Sequence, residues 1–138
     1  MAFAVRAHNH LWGKNNEDPL AFLYRQGLSL DFSRQMYLGW NKFKQERPYT
    51  NWGMEHPGSF SIPPGLVFPY IVEKELKSLF IVSMDNPKEF FMVPGGVEKV
   101  LLGNPENETR HFNNLLEGLK AFQENQDNLS VRLSIYSQ

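Results

Sequence analysis

Cysteine is absent from all 138 residues, which removes disulfides and thiolate metal sites together and favours a cytoplasmic setting over a small secreted scaffold. Long apolar runs are missing as well. Nothing approaches the roughly 20 residues that a membrane-spanning helix needs. The start, MAFAVRAHNHLWG, lacks the basic lead and extended apolar core of a signal peptide, so a soluble chain is expected. Strong charge of either sign is lacking too: the formal net charge is −1, far from the basic balance that by itself marks a nucleic-acid-binding chain. The charge is uneven, however. Seven Lys and Arg stand against four Asp and Glu up to Gly53, and seven against eleven from Met54 onward, which leaves room for a basic patch in the first half. With 41% hydrophobic and 21% charged residues, the chain suits one domain over residues 1–138 with a real core.

The first third reads as helical. Phe3, Ala7 and Leu11 fall in line for a helix from Ala2 to Trp12, ended by GKNN. Asp18 as cap and Pro19 at the first helical position predict a helix from Pro19 to Gln26, closed by Gly27. Ser29 then caps a second helix, with Phe32 and Met36 on one face, ending near Gly39. Together they make a helical hairpin. The middle changes character: GLVFPYIV, LKSLFIVSM and EFFMVPGG are short β-branched and aromatic runs joined by EKE and DNPK, which predicts strands at Leu66 to Val72, Leu79 to Met84 and Phe90 to Val93 in an antiparallel meander. Pro69 cannot donate to a ladder, so its strand should lie at an edge or carry a bulge. Pro94 and Gly95 suit a type II turn. Leu115, Leu116, Leu119 and Phe122 then recur at helical spacing, and LSVRLSIY alternates as a half-buried strand. The fold class expected is α+β: an N-terminal helical hairpin beside a small, mainly antiparallel sheet, with a C-terminal helix and strand.

Motifs that carry chemistry are scarce. His8 and His10 would point apart on a helix and find no third ligand on a strand, so they read as solvated. His56 and His111 are isolated. The PGG string lacks the lysine and hydroxyl of a phosphate-gripping loop and reads as a turn. The carboxylates of EKE and NPENE do not form a metal cage. No catalytic residue, metal site or cofactor is expected.

One stretch stands out: GWNKFKQERPYTNWG, residues 39 to 53, interleaves aromatic and basic side chains. Lys42, Lys44 and Arg47 can meet the phosphates of a single strand while Trp40, Tyr49 or Trp52 stack on its bases. Equally, Trp40, Phe43 and Trp52 can be buried anchors that fasten a loop, with the basic residues keeping it wet.

Order along the chain adds more than composition. AFLYRQGLSLDFSRQMYLGWN, NWGM, SIPPGLVFPYIVEKELKSLFIVS and KEFFMVPGG together resemble the N-terminal part of the catalytic core of bacterial and phage-type DNA primases, the segment between their zinc-binding and Toprim domains. There a YL..RGLS hairpin leads through LGWN and WG to a P.GLVIPY strand, an arginine-rich strand and KY..VPGS. The resemblance covers about residues 19 to 96. It departs in having no zinc-finger cysteines and in placing Val82, Ser83 and Met84 where the family has arginines. Glu117 and Gly118 match the Toprim EG string only in letters, and Asp127 is the sole later aspartate, so no catalytic residue carries over. The resemblance implies a fragment or degenerate relative that guides a single-stranded template at Trp40, Lys42, Lys44, Arg47, Tyr49 and Trp52 without its own nucleotidyl-transfer site. Single-stranded nucleic acid and a Toprim or helicase partner protein are the partners it implies. The alternative is a protein-interaction module that kept the fold and lost the nucleic acid.

Overall fold

The computed structural model describes residues 2–13, 17–52, 54, 55, 57–97 and 99–134. Three helices lead: α1 (Ala2–Trp12), α2 (Glu17–Arg25) and α3 (Leu30–Gln35). The strands then run β1 (Gly39–Asn41), β2 (Gln45–Pro48), β3 (Ser59–Ile62), β4 (Gly65–Val72), β5 (Glu75–Val82), β6 (Phe90–Met92), β7 (Lys99–Leu102), β8 (Glu108–Phe112) and β9 (Leu129–Ser134), with α4 (Leu115–Glu124) between β8 and β9. The α+β class expected from the sequence is observed.

Helix α1 buries Phe3, Ala7 and Leu11 as their spacing requires, with Ala4 beside them. Beyond Gly13 its expected stop lies outside the described residues. Helix α2 begins two residues before Pro19, which therefore sits within the first turn, where its missing N–H is still one of the unpaired donors. Ser29 caps α3, its hydroxyl accepting from the Phe32 amide at 3.1 Å. The same helix stops at Gln35, well short of Gly39. Leu38 N donates to Ser33 O and Tyr37 N to Arg34 O, both at 3.0 Å, the bond pair of a Schellman close. Gly39 opens β1 instead. A Cβ there would lie 2.5 Å from the Ala7 carbonyl carbon and 2.6 Å from the His8 nitrogen, so this glycine exists for close approach of α1 to the sheet rather than for ending a helix.

Three sheets replace the single small one expected. The largest orders as β1-β4-β5-β6, antiparallel throughout, and contains the expected meander. Pro69 is accommodated in both ways open to it. Strand β1 pairs with β4 only as far as Val67, which leaves an open edge beside the proline, and the β4–β5 register shifts between Tyr70 and Ile71. Leu66, Phe68, Phe80 and Val82 face one core, with α2, α3 and α4; Val67, Leu79 and Ile81 face a second, with α1 and β3. Burial on both faces explains why these strands read as continuous apolar runs rather than alternating ones. Strands β2 and β3 form a separate hairpin. In the last sheet β9 lies between β7 and β8, antiparallel to one and parallel to the other, with α4 as the crossover. The Tyr70 hydroxyl joins the first sheet to the last: it accepts from Leu101 N at 3.2 Å and donates to Leu101 O at 3.3 Å.

The β4–β5 turn carries a measurable strain. Glu73 (φ 52°) and Lys74 (φ 67°) are both left-handed between the paired Val72 and Glu75, as a type I′ hairpin demands. Asn and Gly are the residues that accept this geometry readily. Glu73→Asn together with Lys74→Gly is expected to stabilise the fold by about 1 to 2 kcal/mol, read as a higher midpoint in chemical denaturation. A lower midpoint would contradict this account of the turn.

Candidate nucleic-acid interface

The stretch from Gly39 to Trp52 is not a loop, and its aromatic residues do not behave alike. Gly39 to Asn41 join β4, Gln45 to Pro48 join β3, and Tyr49 to Trp52 make a short 3-10 turn. Trp40 is only 7% exposed, set edge-on against Phe22 with ring centroids 5.8 Å apart. At that burial Trp40 acts first as a core anchor, and its small exposed part lines a cleft. Asn41 is buried and locks the same corner, donating to Pro63 O at 2.7 Å and accepting from Gln45 Nε2 at 2.6 Å. Tyr49 and Trp52 are half-buried; both pack on Phe60, at 5.2 and 5.8 Å, and Trp52 also meets Phe3 at 6.1 Å. Phe43 reverses its expected role: it is 68% exposed, with Lys42 Nζ 5.4 Å from its ring centroid.

The basic residues of the stretch disperse. Lys42 and Lys44 are exposed on the turn between β1 and β2. Arg47 donates to Glu46 O at 3.0 Å and to Gln45 Oε1. Glu46 stands among them as a carboxylate, held below its ordinary pKa by hydroxyl donors from Ser61 and then Ser59, with Lys44 contributing. Lys42 and Trp40 line a cleft of about 740 Å³ together with His10, Asp18, Met84 and Asp85. One lysine against two aspartates makes that cleft a poor host for phosphate. Arg47 and Trp52 line a different, shallow groove of about 170 Å³ with Arg6. The six residues proposed from the sequence are thus not gathered around one of these clefts.

A third cleft has the charge the first one lacks. It measures about 520 Å³ and lies where the end of α2, the β5–β6 connection and the start of α4 meet. Arg25, Lys88 and Lys120 line it, with Glu117 the one carboxylate and Asn86 and Asn114 supplying amides. Among the described residues none of the three cations has a carboxylate within ion-pair distance. Three cations from separate elements lining one cleft, against a single carboxylate, are what a chain of phosphates needs.

Local structure explains the convergence. Gly27 closes α2 with φ 75°. A Cβ at that position would lie 3.1 Å from Lys120 Cε, so the glycine leaves the space through which the lysine stem passes. Gln123 clamps the same corner: its Nε2 donates to Gly27 O at 2.9 Å and its Oε1 accepts from Ser29 N at 2.7 Å. On the other wall, Glu89 N donates to Asn86 O at 2.9 Å and tightens the turn bearing Lys88. Asn114 caps α4 by accepting from Glu117 N at 3.1 Å. No short motif betrays this site, because residues 25, 88 and 120 lie far apart in sequence and each alone is an ordinary surface cation.

The other residues weighed from the sequence fall elsewhere. His8 is half-buried, with Nδ1 3.3 Å from Leu38 O, and so is locally bonded rather than solvated. His10 and His111 are exposed, and His56 lies outside the described residues. Among the described residues no three His, Asp or Glu side chains gather where a metal could sit, and no helix is long and apolar enough to cross a membrane.

No protein-family model matches the chain, and no curated protein matches it. Among solved structures, the crystal structure of the RNA polymerase domain of Mycobacterium tuberculosis primase DnaG superposes with a TM-score of 0.66 over 99% of this chain, at 10% sequence identity. The fold is primase-like. This chain spans 55% of the length of that domain. The primase-like fold extends beyond residues 19 to 96, which carry the resemblance in sequence, to the final sheet and α4. Within it α2 and α3 form the hairpin, β4 is the GLVFPY strand and β6 leads into the Pro94–Gly95 turn, where Gly95 has φ 91°. Val82 is buried at the end of β5, while Ser83 and Met84 line the large cleft. Glu117 and Gly118 lie in α4. A Cβ on Gly118 would come within 2.5 Å of Leu133 Cδ2, so that glycine serves the packing of α4 on β9.

Proposed function

We propose that this chain is a nucleic-acid-binding domain that guides a single-stranded DNA template, without a nucleotidyl-transfer site of its own. The observation that carries the reading is the convergence of Arg25, Lys88 and Lys120 in one cleft with a single carboxylate beside them. The primase-like fold supports it. Lys42 and Lys44, with Arg47 on the neighbouring groove, extend the basic surface as secondary phosphate contacts, and Phe43 is the ring of that stretch with a free face for a base. Tyr49 and Trp52 retain an exposed edge each and act chiefly as anchors. A Toprim or helicase protein in the cytoplasm would supply the catalytic or motor activity that this domain serves.

The alternative is a protein-interaction module, favoured by the 740 Å³ cleft in which Asp18 and Asp85 flank Trp40 and the exposed Met84. An anisotropy titration with labelled oligothymidylate at increasing salt separates the two. The template-guiding reading expects log Kd to rise with log salt with a slope of about 2 or more, since three single-strand phosphate contacts contribute roughly 0.7 each. No binding at about 50 mM salt, where ionic contacts to nucleic acid are strong, would leave the protein-interaction reading in its place.

A further inference from the structure

Two successive helices of this chain end in the same way but with different residues at the critical position. Helix α2 closes with Gly27 N on Tyr24 O and Leu28 N on Leu23 O, both at 3.0 Å. Helix α3 closes with the equivalent pair, Tyr37 N on Arg34 O and Leu38 N on Ser33 O. The residue between must be left-handed, and the chain supplies Gly27 at φ 75° in the first case and Tyr37 at φ 57° in the second. A bulky residue in that conformation is strained relative to glycine. The cost is not recovered by burial, because Tyr37 remains 58% exposed. Strain kept at an exposed aromatic points to a use for the ring.

Its surroundings indicate the ligand. The Tyr37 ring lies 6.2 Å from that of His8, which lies 6.2 Å from Trp12. Arg34 covers Trp12, its guanidinium carbon 4.6 Å from the ring centroid. Trp12 Nε1 donates to Leu38 O at 3.2 Å, and His8 Nδ1 lies 3.3 Å from the same oxygen, so both rings are held rigidly beside the strained turn. Arg34 is exposed and has no carboxylate partner among the described residues. An exposed ring packed against the fixed His8–Trp12 pair, with an arginine that has no counter-charge stacked on the Trp12 of the same pair, offers both groups that one nucleotide of a single strand uses: a ring for the base and a guanidinium for the phosphate.

We propose that Tyr37, with Arg34, forms a stacking site for one base of single-stranded nucleic acid, outside the cleft of Arg25, Lys88 and Lys120. The site rests on the nucleic-acid reading given above. Tyr37→Gly tests it without a folding ambiguity, because relieving the strain should raise the melting temperature while removal of the ring weakens binding. The expected loss of affinity for oligothymidylate is roughly tenfold, within the range of a single stacking contact, with an unchanged salt slope. Tyr37→Phe should bind as the original does. A strand of abasic sites should bind the original and Tyr37→Gly equally. Unchanged oligothymidylate affinity in Tyr37→Gly overturns the stacking site while the salt slope of the original chain still reports on the phosphate cleft. Absence of any strand binding by the original overturns both. Equal loss for oligothymidylate and the abasic strand also overturns it, since the ring would then act through something other than a base.

Discussion

Alanine at Arg25, Lys88 and Lys120 together is expected to weaken single-stranded DNA binding roughly a hundredfold at about 0.1 M salt and to reduce the salt slope by about 2, three contacts at roughly 0.7 each. The three cations line one cleft with no carboxylate partner of their own among the described residues, so their removal breaks no ion pair. Exposed charges contribute little to folding. The thermal midpoint should therefore stay close to that of the original chain, apart from a small loss where the Lys120 stem packs over Gly27. The corresponding triple change at Lys42, Lys44 and Arg47 should cost much less. Arg47 is already engaged with Gln45 and Glu46, and Lys42 shares its cleft with two aspartates. Should the loop variant lose as much affinity as the cleft variant, the ranking of the two surfaces is wrong.

Trp40→Ala is expected to destabilise the fold by about 3 to 5 kcal/mol, the usual cost of truncating a buried aromatic. That is a large part of the 5 to 15 kcal/mol available to a typical domain. Trp40 sits on β1 directly opposite Leu66 and against Phe22, so the substitution opens a void between the three-stranded meander and the helical hairpin. Folded molecules of the variant should bind single-stranded DNA with near-original affinity, because the indole does not reach the phosphate cleft. Denaturant melts and titrations on the same preparation check both parts. A loss below about 1 kcal/mol accompanied by weakened binding would return Trp40 to the role of a stacking residue.

These two variants also mark what the sequence could convey. Where a signal is local, it was legible: Ser29 as a cap, the stripe of Phe3, Ala7 and Leu11, the meander, and Pro69 with its bulge all follow from periodicity and covalent geometry. Strand β8 was not legible, because ETRHF is held by its backbone ladder to β9 and has mostly exposed or half-exposed side chains. Gly39 misled. The glycine looked like a helix end and proved to be a point of close approach, while the real end carries a tyrosine in the conformation a glycine would prefer.

The candidate site was less legible than the fold, for a physical reason. Aromatic and basic residues adjacent in sequence, as in GWNKFKQERPYTNWG, are sent to different places because the stretch crosses from a buried strand of one sheet, through an exposed turn, to a strand of another. Trp40 goes to the core, Phe43 to solvent, and Lys42 and Arg47 to separate clefts. The cations that do converge are distributed over α2, the β5–β6 turn and α4. Only the tertiary fold, clamped by Gln123 across Gly27 and Ser29, makes them neighbours.

Amide chemical-shift mapping of the isotope-labelled chain against a short oligothymidylate tests the central claim most directly. The account predicts that the largest changes fall at Arg25 to Gly27, at Asn86 and Lys88 and from Asn114 to Lys120, the walls of one cleft. Changes confined to Lys42 to Arg47, or no changes at all at low salt, would contradict it.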